Sequence, residues 1–196
     1  MLNNKKISCA LSVAAVAALF GVSSVYAQSG SADNTSAGSS SASSSKSSSV
    51  SKDDKDFMED IAHANLAEIA TGKMALEKSQ NEQVKQFAQK MIDDHTKAED
   101  ELKQLADAKG VKLPTEPDMV HKTKAATLKP LSGNTFDKQY VKHAGVGDHE
   151  NTHKLLEKVQ SKAKDPDLKA YADKTIKAVE AHLDMAKQLE QQIVKK

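Results

Sequence analysis

From Lys52 to the C-terminus, apolar residues recur at spacings of three and four, and no stretch alternates as a half-buried strand would. One stripe carries Phe57, Met58, Ile61, Ala64, Ala75 and Leu76. A second carries Val84, Phe87, Ala88, Met91, Ile92, Ala98, Leu102 and Leu105. A third, less regular, has Val141, Gly145, Leu156 and Val159. The fourth is Leu168, Ala172, Ile176, Val179, Leu183, Ala186, Leu189 and Ile193. Each is the buried face of an amphipathic helix. The spacing predicts helices from about Asp54 to Ser79, Asn81 to Lys109, Thr135 to Lys162 and Asp165 to Val194.

The punctuation agrees. Ser79 and Glu82 stand in capping-box spacing, Gly110 follows the second helix, and Asp165-Pro166 opens the fourth. The stretch from Leu113 to Gly133 contains Pro114, Pro117 and Pro130, so it reads as a long connection with room for one short helix. Two short connections and one long one predict an all-α four-helix bundle over residues 53–196, with the crossover between helices two and three. A weak internal repeat, Val84-Lys-Gln-Phe-Ala88 against Leu168-Lys-Ala-Tyr-Ala172, suggests two related hairpins.

Polar residues standing on apolar stripes are the informative exceptions. Glu68 falls near the middle of the first stripe, His95 lies between Met91 and Ala98, and His182 lies between Val179 and Ala186. His149 sits at the margin of the third stripe, and His153 lies further toward solvent. That gives one candidate metal ligand per helix: Glu68, His95, His149 and His182. A carboxylate with imidazoles suits Fe, Mn, Zn or Cu. Asp94 and Asp148 each precede a histidine and are candidates for further ligands or for acceptors that orient the rings. The competing expectation is a metal-free polar core, in which Glu68 simply pairs with His95 or His182. His63, His121 and His143 read as surface or loop residues.

The N-terminal quarter changes the setting. Lys5 and Lys6 precede an uncharged stretch from Ile7 to Val25, and Val25-Tyr26-Ala27 has the form of a cleavage site. Residues 1–27 are therefore expected to be a cleaved signal peptide, with a mature periplasmic chain beginning at Gln28 and lacking a transmembrane segment. Residues 28–52 hold thirteen serines and no aromatic residue, the composition of a disordered tether. Cys9, the single cysteine, leaves with the signal peptide, which excludes disulfides and thiolate chemistry from the mature chain. Losing Lys5 and Lys6 takes the formal charge from +1 to −1, so nothing favours nucleic acid. No motif names a partner, leaving an envelope protein or a second copy of the chain open. Glycine-rich phosphate loops, nucleophile elbows and zinc-protease helix motifs are absent.

The runs Glu68-Ile-Ala-Thr-Gly-Lys-Met-Ala-Leu-Glu-Lys78, Val84-Lys-Gln-Phe-Ala88, Met91-Ile-Asp-Asp-His95, Leu113-Pro114, Phe136-Asp-Lys-Gln-Tyr140 and His182-Leu-Asp-Met-Ala186 resemble an uncharacterised exported bacterial domain family. Its members are often described as outer-membrane proteins and are placed among ferritin-like four-helix folds. The resemblance implies that fold and a metal, with Glu68, His95, His149 and His182 at the matching positions. The chain departs from di-iron relatives of that fold. Ile92 and Val179 stand three residues before His95 and His182, where those proteins carry glutamate, so a mononuclear site, or none, is the expectation. Gly145-Val-Gly147 interrupts the third helix, and the count from Tyr140 to His149 is one residue longer than the family's. Two functions follow as expectations: metal binding in envelope stress protection, or a non-catalytic envelope module with a metal-free polar core. An enzyme is a distant third.

Overall fold

The computed structural model describes residues 50–194. The expected signal peptide and the tether as far as residue 49 lie outside the described residues. The elements run α1 (Lys52–Lys78), α2 (Glu82–Ala108), α3 (Met119–Leu128), α4 (Gly133–Tyr140), a π-helical segment (Val141–Asp148), α5 (His149–Lys162) and α6 (Pro166–Val194). The chain is all-α, with no strand among the described residues. Helix α4, the π segment and α5 follow without a break, so they form one rod beside α1, α2 and α6. The short helix expected in the connection is α3.

The helix ends follow from side-chain capping. Ser51 accepts the Asp54 N–H at 3.1 Å and starts α1 two residues before the expected point. Asp165 Oδ1 accepts the N–H groups of Asp167 and Leu168 and starts α6 as the sequence predicts. The second helix differs from expectation. Its cap is Asn81, whose Oδ1 accepts the Gln83 N–H, not Ser79. The Ser79 hydroxyl is taken up by the Asn81 N–H, so the turn between α1 and α2 uses both residues. Val50, assigned to the tether by composition, packs against the hydrophobic core.

Short connections make α1–α2 one helical hairpin and α5–α6 another, and α2 packs on α6 while α1 packs on α5. Two apolar clusters fill the interior. One gathers Phe57, Met58, Ile61, Leu102, Leu156 and Leu168; the other gathers Val84, Phe87, Met91, Phe136, Tyr140 and Ile193. Each rod contributes to both clusters, and in each the predicted polar residue falls between its two contributions. Glu68 lies between Ala62 and Ala75, His95 between Met91 and Leu102, His149 between Ala144 and Leu156, and His182 between Val179 and Ala186. The four polar groups therefore share one level between two dry layers.

Glycine allows one of the close helix contacts at this level. A Cβ on Gly72 would lie 2.9 Å from Ile92 Cγ1 and 3.1 Å from the Ala88 carbonyl, so α1 and α2 approach there as no larger residue permits.

Far from that level, Asp54 is buried at the first turn of α1 and accepts the N–H groups of Lys164 and Asp165 at 2.9 and 3.2 Å. It fixes the start of α6 to the start of α1. Hydrogen bonds to a charged acceptor contribute about 1.5–3 kcal/mol, and loss of the acceptor leaves two backbone donors unpaired. Asp54→Ala is expected to lower unfolding stability by at least about 2 kcal/mol, measured by urea titration, with helix content unchanged below the transition.

Candidate metal centre

His149 reaches the interior through the π segment. Buried positions along the rod run Phe136, Asp137, Tyr140, Val141, Ala144, Gly145, His149, Thr152, Leu156, Val159 and Ala163. From Asp137 through Val141 and Gly145 to His149 the steps are four residues, three times in succession. In an α-helix of 3.6 residues per turn, each such step overshoots the buried face by about 40° and the three add up; a π-helix, with i to i+5 bonding, winds more slowly and keeps the four positions on one face. The surplus rotation is thus absorbed, and His149, expected at the margin of its stripe, is 1 % exposed. The Gly145-Val-Gly147 interruption takes the form of this segment and does not break the helix. Gly145 lets it lie against α6, where a Cβ would meet the Ala186 Cβ at 3.1 Å.

The rings of His95, His149 and His182 form a triangle with centroids 5.4–5.5 Å apart, and each offers a nitrogen within 4.8 Å of the other two. Glu68, also buried, places Oε1 3.6 Å from His149 Nδ1. The three predicted histidines are brought together, and Glu68 lies beside one of them, His149.

Each imidazole is oriented from outside the triangle. His95 Nδ1 donates to Asn65 Oδ1 at 3.1 Å, and Asn65 Nδ2 in turn donates to Glu99, which fixes the amide's direction. His149 Nδ1 donates to the Ala144 carbonyl at 3.0 Å. His182 Nε2 donates to Asp94 Oδ2 at 2.7 Å. All three acceptors lack a proton to give, so the tautomers follow: His95 Nε2, His149 Nε2 and His182 Nδ1 carry lone pairs. Those three atoms, with Glu68 Oε2, are buried without a hydrogen-bond partner.

Of the two aspartates singled out by sequence, Asp94 orients an imidazole, though on α6 and not its neighbour His95. Asp148 holds no ring; it pairs with Lys124 of α3 at 2.6 Å. Asn65 and the Ala144 carbonyl carry the roles that sequence reasoning missed. Asn65 had a readable signal, as a polar residue one position from a stripe; a backbone carbonyl has none. His63, His121 and His143 stay outside the triangle and bond Glu116, Asp118 and Gln139. His153, read as lying toward solvent, reaches Glu180 on α6.

Burial keeps this cluster uncharged. It pushes the Glu68 carboxyl well up, with help from the Asp148 charge, and pushes His95 well down, with His149 and His182 adding to the effect. Burial brings His149 down to about 4 against the pull of the Ala144 carbonyl, and lowers His182 against the pull of Asp94. Glu68 and His149 are both neutral under these shifts, so their contact is not an ion pair. Neither of the expected partners of Glu68, His95 or His182, is the one it meets.

A model of the domain of unknown function DUF4142 matches residues 39–189. The chain belongs to this family. No curated protein matches it in sequence. Two solved structures share its fold. A DUF305 fragment from Deinococcus radiodurans superposes with a TM-score of 0.66 at 11% identity, covering 73% of this chain and 98% of that one. CopM in its Cu(II)-bound form superposes with a TM-score of 0.59 at 19% identity, covering 71% of this chain and 96% of that one.

Protonation separates the folded and unfolded chains. The folded histidines titrate below the unfolded value of 6.5, so between about 6.5 and 4 the unfolded state binds more protons and stability falls with pH. Glu68, raised above its unfolded 4.5, acts in the opposite sense but is one group against three. Chelator-treated protein is expected to lose thermal stability from pH 6.5 to 4.5, with a shallower loss in His149→Gln, followed by circular dichroism.

Proposed function

We propose that the chain binds one transition-metal ion through His95 Nε2, His149 Nε2, His182 Nδ1 and the Glu68 carboxylate. The observation that carries this reading is the three buried imidazoles, each offering a nitrogen within 4.8 Å of the other two and each with one unpartnered nitrogen, with the buried Glu68 carboxyl beside His149. Three imidazole lone pairs cannot satisfy one another when every imidazole proton is already committed outward. Leaving them unpaired costs about 1–3 kcal/mol each, and a cation answers all three at once. Binding would also reverse the charge state of Glu68, since a bound cation favours the carboxylate.

Three imidazoles and one carboxylate suit Cu(II) and Zn(II) ahead of Mn(II), and Cu(II) stands highest in the general affinity order. The Cu(II) described for CopM, a protein of similar fold, adds weight to trying that ion first. We read the four rods as a ferritin-like four-helix bundle whose long connection carries α3. The apolar Ile92 and Val179 favour a mononuclear centre over a di-iron one. We place the mature protein in the periplasm, where holding a redox-active ion would serve envelope protection. No helix among the described residues is long and apolar enough to cross a membrane.

Purified protein is expected to bind one equivalent of Cu(II) or Zn(II), and Glu68→Gln, His95→Ala and His182→Ala each to weaken binding at least tenfold by competition titration. A metal at 100-fold its Kd adds about 2.7 kcal/mol of stability, so chelator should lower the Tm of wild type and leave His95→Ala unmoved. Absence of binding by wild type would leave the metal-free envelope module as the reading. Protein recovered from its native envelope is expected to begin at Gln28 by mass spectrometry; an intact N-terminus in the membrane fraction would overturn the periplasmic placement.

A further inference from the structure

An ion bound at this centre has to cross the wall of the bundle, because Glu68, His95, His149 and His182 are each at most 5 % exposed. Two corners of the triangle are backed by buried groups. Behind His95 stands Asn65, and behind His149 stands the backbone carbonyl of Ala144. His182 differs. Its outer partner is Asp94, a side chain that is 38 % exposed and only 2.7 Å from the imidazole.

Asp94 lies in the seam between α2 and α6. The two helices run antiparallel, with Gln83 bonded to Gln192, Asp94 to His182 and Glu101 to Lys174 across it. On one side of Asp94 the seam opens into a cavity of about 190 Å³, walled by Asp94 with the small side chains of Ala98, Thr175 and Ala178. On the other side it opens into one of about 400 Å³, walled by Phe87, Lys90, Met185 and Leu189. The run Lys90–Asp94–His182 closes the seam between the two cavities. Lys90 Nζ and His182 Nε2 both donate to the same oxygen, Asp94 Oδ2, at 2.7 Å. The Lys90–Asp94 pair is part-exposed on both sides, and an ion pair in that position holds weakly.

We propose that Asp94 is the port of the metal centre: an arriving cation takes the place of the Lys90 ammonium on the Asp94 carboxylate, and His182 turns to carry it inward. The lone pair on His182 Nδ1 faces the interior, so it meets an ion at the surface only when the ring swings away from Asp94. His182 is the ligand best placed to do so, since a single bond to a surface side chain holds it from outside and the small residues beside Asp94 leave room. The ion leaves by the reverse path. Asp94 thus takes a second role besides orienting the ring, and Lys90 is the latch. The inference rests on the proposed metal reading, and binding by wild type is the separate control for that reading.

The test is the rate of exchange. Purified protein is mixed with Cu(II) for uptake, and Cu(II)-loaded protein with excess chelator for release, both by stopped flow. In Lys90→Ala both rates are expected to rise about three- to fivefold, the factor carried by an exposed ion pair of ordinary strength. The Kd should stay at the wild-type value, because the latch closes the empty and the loaded centre alike. Asp94→Asn leaves an amide oxygen for His182 but removes the charge that captures the cation, so its uptake should slow roughly tenfold. Lys124→Ala breaks an exposed pair on the α3 side and should leave both rates as in wild type. Unchanged exchange in Lys90→Ala, a change there in one rate only, or faster exchange in Lys124→Ala would overturn the port. Absence of Cu(II) binding by wild type would overturn the metal reading beneath it.

Discussion

The constraint on which this structure turns is that a buried imidazole has two nitrogens and must find employment for both. In each of the three histidines, one nitrogen gives its proton outward, to Asn65, to the Ala144 carbonyl or to Asp94. The tautomer is thereby decided by groups on the outside of the triangle, and the inward lone pairs are a consequence. Had any acceptor been a donor instead, one inner nitrogen would carry a proton and the interior could satisfy itself. The polar layer is tolerable only because dry clusters on both sides hold the rods in register around it.

The three outer acceptors differ in kind. Asn65 is buried and its amide is tied to Glu99, while the Ala144 carbonyl belongs to the backbone of the π segment and cannot move without it. Asp94 is part-exposed, shares itself with Lys90, and is held in its charged form by the Lys90 and His182 hydrogen bonds against the opposing effect of burial. The centre therefore has two rigid corners and one, at His182, whose outer partner touches water.

Much of this was legible in the sequence because helix periodicity makes a misplaced polar residue visible. Glu68, His95 and His182 each broke an apolar stripe, and each is buried. The helical class and the long connection followed from the same spacing and from three prolines. What failed to show was everything depending on local hydrogen-bond competition. Asn81 took the cap that Ser79 was expected to hold, and Asp148 turned to Lys124 instead of an imidazole. His149 looked marginal because counting at 100° per residue assumes an α-helix, and the rod changes period just before it.

The π segment has a consequence for how such a centre arises and is lost. One residue more or fewer between Tyr140 and His149 turns the far half of the rod by about a quarter of a circle, carrying the imidazole off the buried face while its codon stays intact. A single in-frame insertion or deletion can therefore remove His149 from the buried cluster while every histidine stays in the sequence. Among relatives, the length of that interval should then separate those that gather three imidazoles from those that do not better than the presence of the histidine does.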